Sequence, residues 1–259
     1  MIPTIVHPGE LSSPAIQSIQ QELKEAGYDP GPVDGRWGAR TKVAYNGFLG
    51  GAHRRAVAPL PGGPILNTTS YYVLKPEYER LFANCKVLDE HLSGVRALVG
   101  RVLAHRPRYE AVGKPSGVPW WIIGAIHAME SELDFRTHLH NGDPLIQRTV
   151  QEPSGHPKEG NPPFTWDFSA TDALKLHGFH VWRDWSVAGA LYKAEEYNGW
   201  GVRRFHAASG PTAYLWSHTN QYVGGKYVKD GIWSATAKSQ QAGVAAMLRL
   251  MVDRGLVAR

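Results

Sequence analysis

Cysteine is nearly missing: Cys85 is the single thiol in 259 residues. That excludes an internal disulfide framework and a cysteine-rich zinc site. Long apolar runs are missing too. A membrane span needs roughly 18 apolar residues, and the best stretch here, Val118–Ile126, is followed at once by His127. Residues 1–20 lack the basic start and apolar stretch of a signal peptide, so a soluble product made in the cytoplasm is expected. Runs of like charge are also absent. The 28 basic and 23 acidic side chains give a net charge of +5, and Lys and Arg are dispersed, which argues against nucleic acid as partner. With 42% hydrophobic and 20% charged residues the chain is not a disordered one. Its length suits one large domain or two unequal ones. Aromatics, by contrast, are plentiful: 9 Trp, 11 Tyr and 7 Phe, with eight of the Trp between Trp120 and Trp233. Flat rings suit a core, and they equally suit the apolar faces of sugars.

Residues 14–49 read as a unit. Ile16, Ile19, Gln20 and Leu23 repeat at three and four residues, the spacing of an amphipathic helix face, with Pro14 near its start and Gly27 placed to end it. Tyr28 to Gly35 is dense in turn-forming residues. Thr41, Ala44, Tyr45 and Phe48 then return to helical spacing. Helix, tight loop and helix in so few residues make a docking unit rather than an enzyme. The string Ile16-x-x-Ile19-Gln20-x-x-Leu23-x-x-x-Gly27-Tyr28-x-x-Gly31-Pro32-Val33-Asp34-Gly35-x-Trp37-Gly38-x-x-Thr41-x-x-Ala44-x-x-x-Phe48 resembles the peptidoglycan-binding-domain-1 module. The resemblance implies peptidoglycan as the partner, and Tyr28, Asp34, Gly35, Trp37 and Thr41 as the residues that make the module. Taken by themselves, Asp34 and Gly35 are first of all a good turn.

Residues 51–67, rich in Gly and Pro, read as a semi-stiff linker, which divides the chain into 1–50, the linker, and 68–259. Beyond it the pattern is mostly helical, with helices expected over 78–88, 95–104, 120–133, 187–197 and 235–252. In the helix opened by Pro119, Ile122, Ile126, Met129 and Leu133 would form the buried stripe. Glu130 lies at the edge of that stripe, where apolar surroundings favour the protonated form that a general acid needs at neutral pH. Glu132 points about 200° away round the helix and reads as solvated. Phe135 to Val150 then alternates about Asn141-Gly142, the strongest short hairpin signal, and carries Asp143.

Three further segments resemble the goose-type lysozyme and lytic transglycosylase superfamily. Met129-Glu130-Ser131 is similar to its Glu-Ser step, in which the Glu is the acid. Ala194 to Phe205 is similar to its Ala-Tyr-Asn-Ala-Gly segment with the following Val-Arg-Arg-aromatic. His218 to Val223 is similar to its Glu-Thr-x-x-Tyr-Val segment. The stretch with His-Leu-His-Asn-Gly-Asp-Pro-Leu looks most like lysozymes found with peptidoglycan-binding modules in bacteria and phages, including endolysins. What this implies is a mainly α protein, in which a small helical peptidoglycan-binding module is joined to a lysozyme-like α+β domain with a short β-hairpin beside the active-site helix. It implies a monomeric, cofactor-free N-acetylmuramidase held in the cytoplasm until it reaches the wall. Glu130 would be its acid and Asp143 its second carboxylate, with Ser131, His140, Tyr197, Asn198 and Trp200 at the substrate. The sequence departs from the pattern at His218, where the family has Glu, and in lacking the Gly-Leu-x-Gln segment of transglycosylases.

Alternatives stay open. Asp167 or Asp172 could replace Asp143, although Ser169 to Asp172 also reads as a helix start. A lytic transglycosylase would use Glu130 alone. A zinc D-alanyl peptidase would use His127, Asp134 and His140, although Ala125 and Glu130 stand where that pattern needs other residues. A wall-adhesion protein without turnover would need none of these.

Overall fold

The computed structural model describes residues 13–25, 28–45, 65–229 and 231–258. Gly27, Phe48 and most of the expected linker lie outside the described residues.

In the front unit the spacing of Ile16, Ile19, Gln20 and Leu23 does form one helix, α1 (Ser13–Glu25). Helix α2 covers residues 39–45. Ile19, Leu23 and Ala44 make a small core ringed by Tyr28, Trp37 and Tyr45. So few apolar side chains leave the loop between the helices to be held by polar contacts.

The larger region is built from α3 (Tyr71–Ala83), α4 (Asp89–Ala104), α5 (Arg106–Gly113), α6 (Trp120–Ser131), α7 (Trp166–Leu176), α8 (Val187–Asn198), α9 (Gly201–His206), α10 (Ala213–Trp216) and α11 (Val244–Asp253). The one sheet among the described residues pairs β1 (Lys226–Lys229) with β2 (Ile232–Ser234). The protein is mainly α, as its periodicity predicts. Helix α6 is the hub, packed against α4, α5, α8 and α11. Every residue from Trp120 to Ala128 is buried, so the expected stripe is instead a helix apolar all round.

Five elements differ from expectation. Helix α3 runs from Tyr71 to Ala83 rather than over 78–88, because the chain leaves the helix at Asn84 to make the Val87–Thr219 bridge, and α4 begins at Asp89 rather than 95. Helix α6 has Pro119 as its N-cap and stops at Ser131, because Glu132 (φ 53°) and Leu133 (φ 68°) both turn left-handed. Leu133 is a bulky residue in a region that favours glycine, so strain sits immediately after Glu130. The hairpin beside α6 is a turn rather than a strand pair: one bridge joins Thr137 to Pro144. Pro144 has no N–H with which to extend a ladder. Helix α11 starts at Val244, not 235, because the preceding segment is spent on other contacts: Gln241 reaches the carbonyls of Ala128 and Met129.

A buried ion cluster ties the helices behind the hub. Arg203 clamps both oxygens of Glu195 at 2.9 and 2.8 Å and also donates to Glu77 at 2.9 Å. Tyr78 donates to Glu195 at 2.6 Å. All four are buried, and the paired charges hold α3, α8 and α9 in register.

Candidate functional site

Glu130 sits in the last turn of α6, where the carbonyls have no partner further along the helix. The fold supplies partners from elsewhere. Gln241 donates to Met129 O at 2.8 Å and to Ala128 O at 3.2 Å, and Arg101 donates to Glu132 O at 2.7 Å. Gly142 (φ 79°) brings the turn so close that a Cβ there would meet Glu130 O at 2.7 Å. The backbone carrying the acid is therefore fixed from three sides.

Glu130 is one of the residues bordering a cleft of about 780 Å³, together with Ser131 to Thr137, Asn141, Gly142, Arg101 and His105. Among the described residues the Glu130 carboxyl is hydrogen-bonded by Tyr214, whose O–H donates to Oε1 at 2.7 Å. Loss of hydration pushes the carboxyl up to about 7, against a smaller downward effect of the Tyr214 bond. Near neutral pH the Glu130 carboxyl therefore carries its proton about half of the time. Sequence reasoning missed Tyr214, which lies 84 residues away on a four-residue helix and carries no pattern of its own.

The other expected residues divide. Ser131 borders the cleft, and its hydroxyl donates weakly to His127 O at 3.4 Å. Asp143 is buried, and its Oδ2 accepts from Val150 N (2.8 Å), Gln151 N (3.0 Å) and Asn141 Nδ2 (3.0 Å). Asn141 and Gly142, rather than Asp143, border the cleft. Tyr197 is buried behind the acid and donates to Leu139 O at 2.7 Å; burial, with the nearby Glu130 charge, pushes its phenol up. Asn198 is exposed at the end of α8, whose C-cap is Gly199. Trp200 packs on Tyr192, with ring centroids 5.2 Å apart, outside the cleft lining. Of the eight later Trp, Trp120, Trp121, Trp166 and Trp216 are core.

His127, Asp134 and His140 do not converge as a zinc set. His127 is fully buried, bonded to Tyr109 Oη at 3.0 Å and to the backbone oxygen of Asp134 at 3.3 Å. Burial pushes its imidazole down to about 4. The Asp134 carboxylate pairs instead with Arg136, which holds it down at about 2. His140 points at Asp172, 2.9 Å away, rather than into the cleft. Asp167 pairs with Arg108 at 3.0 Å on the surface. The start of α7 is capped by Thr165, so Asp172 is mid-helix.

In the front unit Gln20 is the organising residue. Its Nε2 donates to Arg36 O (2.9 Å), Thr41 Oγ1 (3.1 Å) and Asp34 Oδ1 (3.2 Å), and its Oε1 accepts from Gly35 N (2.9 Å) and Asp34 N (3.1 Å). The Thr41 hydroxyl in turn donates to Pro30 O at 3.0 Å. Gly35 (φ 73°) is required: a Cβ would meet the Ser13 carbonyl oxygen at 2.7 Å. Asp34, Gly35 and Thr41 thus make the loop. Tyr28 and Trp37 are half-buried and pack against the small core. The signal for Gln20 was in the sequence: an amide on a face otherwise apolar.

Comparison with known families matches residues 12–44 to the family described as "Putative peptidoglycan binding domain". This match supports a cell-wall-binding module whose partner is peptidoglycan. No curated protein and no solved structure matches the chain.

Proposed function

We propose that the protein cleaves the glycan strands of peptidoglycan, with Glu130 as general acid and the front module holding the chain on the wall. The observation that carries this reading is the Glu130 carboxyl, raised to about 7 at the border of an open cleft on a rigidly held helix end. Cleavage of a glycosidic bond requires a proton for the leaving oxygen while positive charge grows at the anomeric carbon. Tyr214 already donates to Oε1, so the acidic proton belongs on Oε2. Once the proton has left, the same Tyr214 bond stabilises the carboxylate.

Hydrolysis by water as an N-acetylmuramidase is the first reading, with Asp143 as the expected second carboxylate. The geometry favours a different task for Asp143: its Oδ2 gathers three donors and holds the turn that shapes the cleft. That observation supports a second reading, a lytic transglycosylase acting through Glu130 alone. Mass spectrometry of digested peptidoglycan separates the two, since hydrolysis leaves reducing ends and the transglycosylase leaves anhydro-sugar ends. Glu130→Gln tests both at once: either mechanism predicts loss of all glycan products, and an active variant removes the acid assignment.

A further inference from the structure

The long segment after the turn poses a physical question. Residues 150–163 contain no helix or strand, and loops of more than about 12–15 residues without structure of their own are uncommon unless something holds them. Thr149 closes the loop's first half, accepting from His156 N at 2.9 Å and donating to Pro153 O at 2.5 Å. That closure delivers His156 to Asp172 of α7, where His140 of the turn arrives from the other side. His140 Nε2 and His156 Nδ1 each lie 2.9 Å from the same oxygen, Asp172 Oδ2, and the three ligand atoms fall within 4.8 Å of one another.

The hydrogen bonds behind His140 hold its ring in place. His138 Nε2 faces the carbonyl oxygen of Gln147 at 2.8 Å, so that nitrogen must carry the proton. His138 Nδ1 then accepts from the hydroxyl of Ser169 at 2.7 Å, and Ser169 Oγ stands 3.5 Å from His140 Nδ1, behind the ring. His140 Nε2 and the Asp172 carboxylate oxygen hold a proton between them at 2.9 Å, and a divalent cation can take that proton's place with neutral imidazole and carboxylate as its ligands.

The geometry points to a metal site: His140 Nε2, His156 Nδ1 and the Asp172 carboxylate bind one divalent ion of the zinc class, which staples the 150–163 loop to the turn and to α7. Zinc takes imidazole nitrogen and carboxylate oxygen at about 2.0–2.2 Å in tetrahedral sets, which places ligand atoms about 3.3 Å apart. The two 2.9 Å spacings to Asp172 would open by about 0.4 Å, and the two imidazole nitrogens, within 4.8 Å of each other, would settle at the same spacing. Ser169 would orient His140 through Nδ1, as partners behind metal-bound histidines do. Asp172 keeps 26% exposure, which leaves an entry path and room for a water as fourth ligand.

The test uses the full chain without a histidine tag, dialysed against chelator and titrated calorimetrically with zinc chloride. One equivalent is expected in the parent and in the surface control His180→Ala, and none in His156→Ala or Asp172→Ala. His156→Gln guards against misfolding: it retains a donor for Asp172, so its metal-free melting curve should match the parent while zinc binding is lost. At free zinc about ten times its Kd, mass action should slow proteolytic cutting within 150–163 about tenfold in the parent and not in the variants. A parent that takes up no zinc, or variants that bind it as the parent does, would overturn the site.

Discussion

Gln20 and Glu130 occupy comparable places in two regions of the molecule. Each is a polar side chain beside the apolar face of a helix, and each is flanked by a turn that depends on glycine, Gly35 in one region and Gly142 in the other. The front unit spends its amide completely, with the two Nε2 hydrogens shared among three acceptors and two bonds arriving at Oε1. The larger region leaves its carboxyl with the Tyr214 bond, in a residue that borders the cleft. A buried polar group with every bond made fastens a fold; one held short of its bonds keeps a shifted pKa and a capacity to react.

The contrast can be broken most severely at Glu130. Glu130→Gln should lower lysis of permeabilised cells by about 10²–10⁴, the usual worth of a general acid. The same change should raise the melting temperature at pH 8. In the fold this carboxyl titrates near 7, against about 4.3 when unfolded. Its favourable contribution is thus complete below the unfolded value and is lost as pH rises through about 7. Lysis by the parent should fall over the same pH range, because the proton to be donated is lost there. A Glu130→Gln variant that melts lower than the parent at pH 8 would show that the carboxyl is structural, like Gln20.

Gln20→Ala should act on the other side of the comparison. It leaves the amides of Asp34 and Gly35 without their acceptor, at a cost of about 1–3 kcal/mol for the buried Gly35 amide. Co-sedimentation with insoluble peptidoglycan should be lost, while turnover of soluble glycan fragments stays at the parent level. Unchanged co-sedimentation would mean that the hub is dispensable. Asp143→Asn is a smaller intervention, since an amide oxygen can still accept from Val150 and Gln151. A modest fall in lysis is expected, with a lower melting temperature; a loss of 10² or more would return Asp143 to the chemistry. Smallest of all, Tyr214→Phe removes a bond that favours the charged carboxylate. It should move the alkaline limb of the activity profile upward, by less than about one pH unit.

How much of this was legible beforehand depended on the range of the interactions. Helix spacing alone predicts α1, the core of α6 and nearly the whole of α8, because each records contacts three and four residues apart. Glu130 was readable for the same reason, being named by its place on one helix. The end of α6 was not, since the left-handed Glu132 and Leu133 are imposed by Arg101, Gln241 and the turn at Gly142. The start of α11 failed similarly, where Gln241 is drawn to α6 before the helix begins.

Histidine and aspartate roles lay furthest out of reach. His140 invites assignment to the cleft or to a set with His127, yet it turns towards a carboxylate 32 residues away. His127 looks like a ligand and is a satisfied core residue. Glu195 and Arg203 lie eight apart in a segment whose spacing says nothing of their pairing with Glu77, which required α3 to be folded against them.

By itself, then, the sequence determined the mainly helical character, the wall-binding unit at residues 12–44 and the position of one carboxyl beside an apolar helix face. Each of these is written in local spacing, where a few neighbouring side chains set the outcome. Tertiary structure alone decided which polar groups are spent and which are left poised. A carboxyl's pKa, an imidazole's tautomer and a buried ion pair depend on what arrives from distant segments, and on how much water those segments exclude.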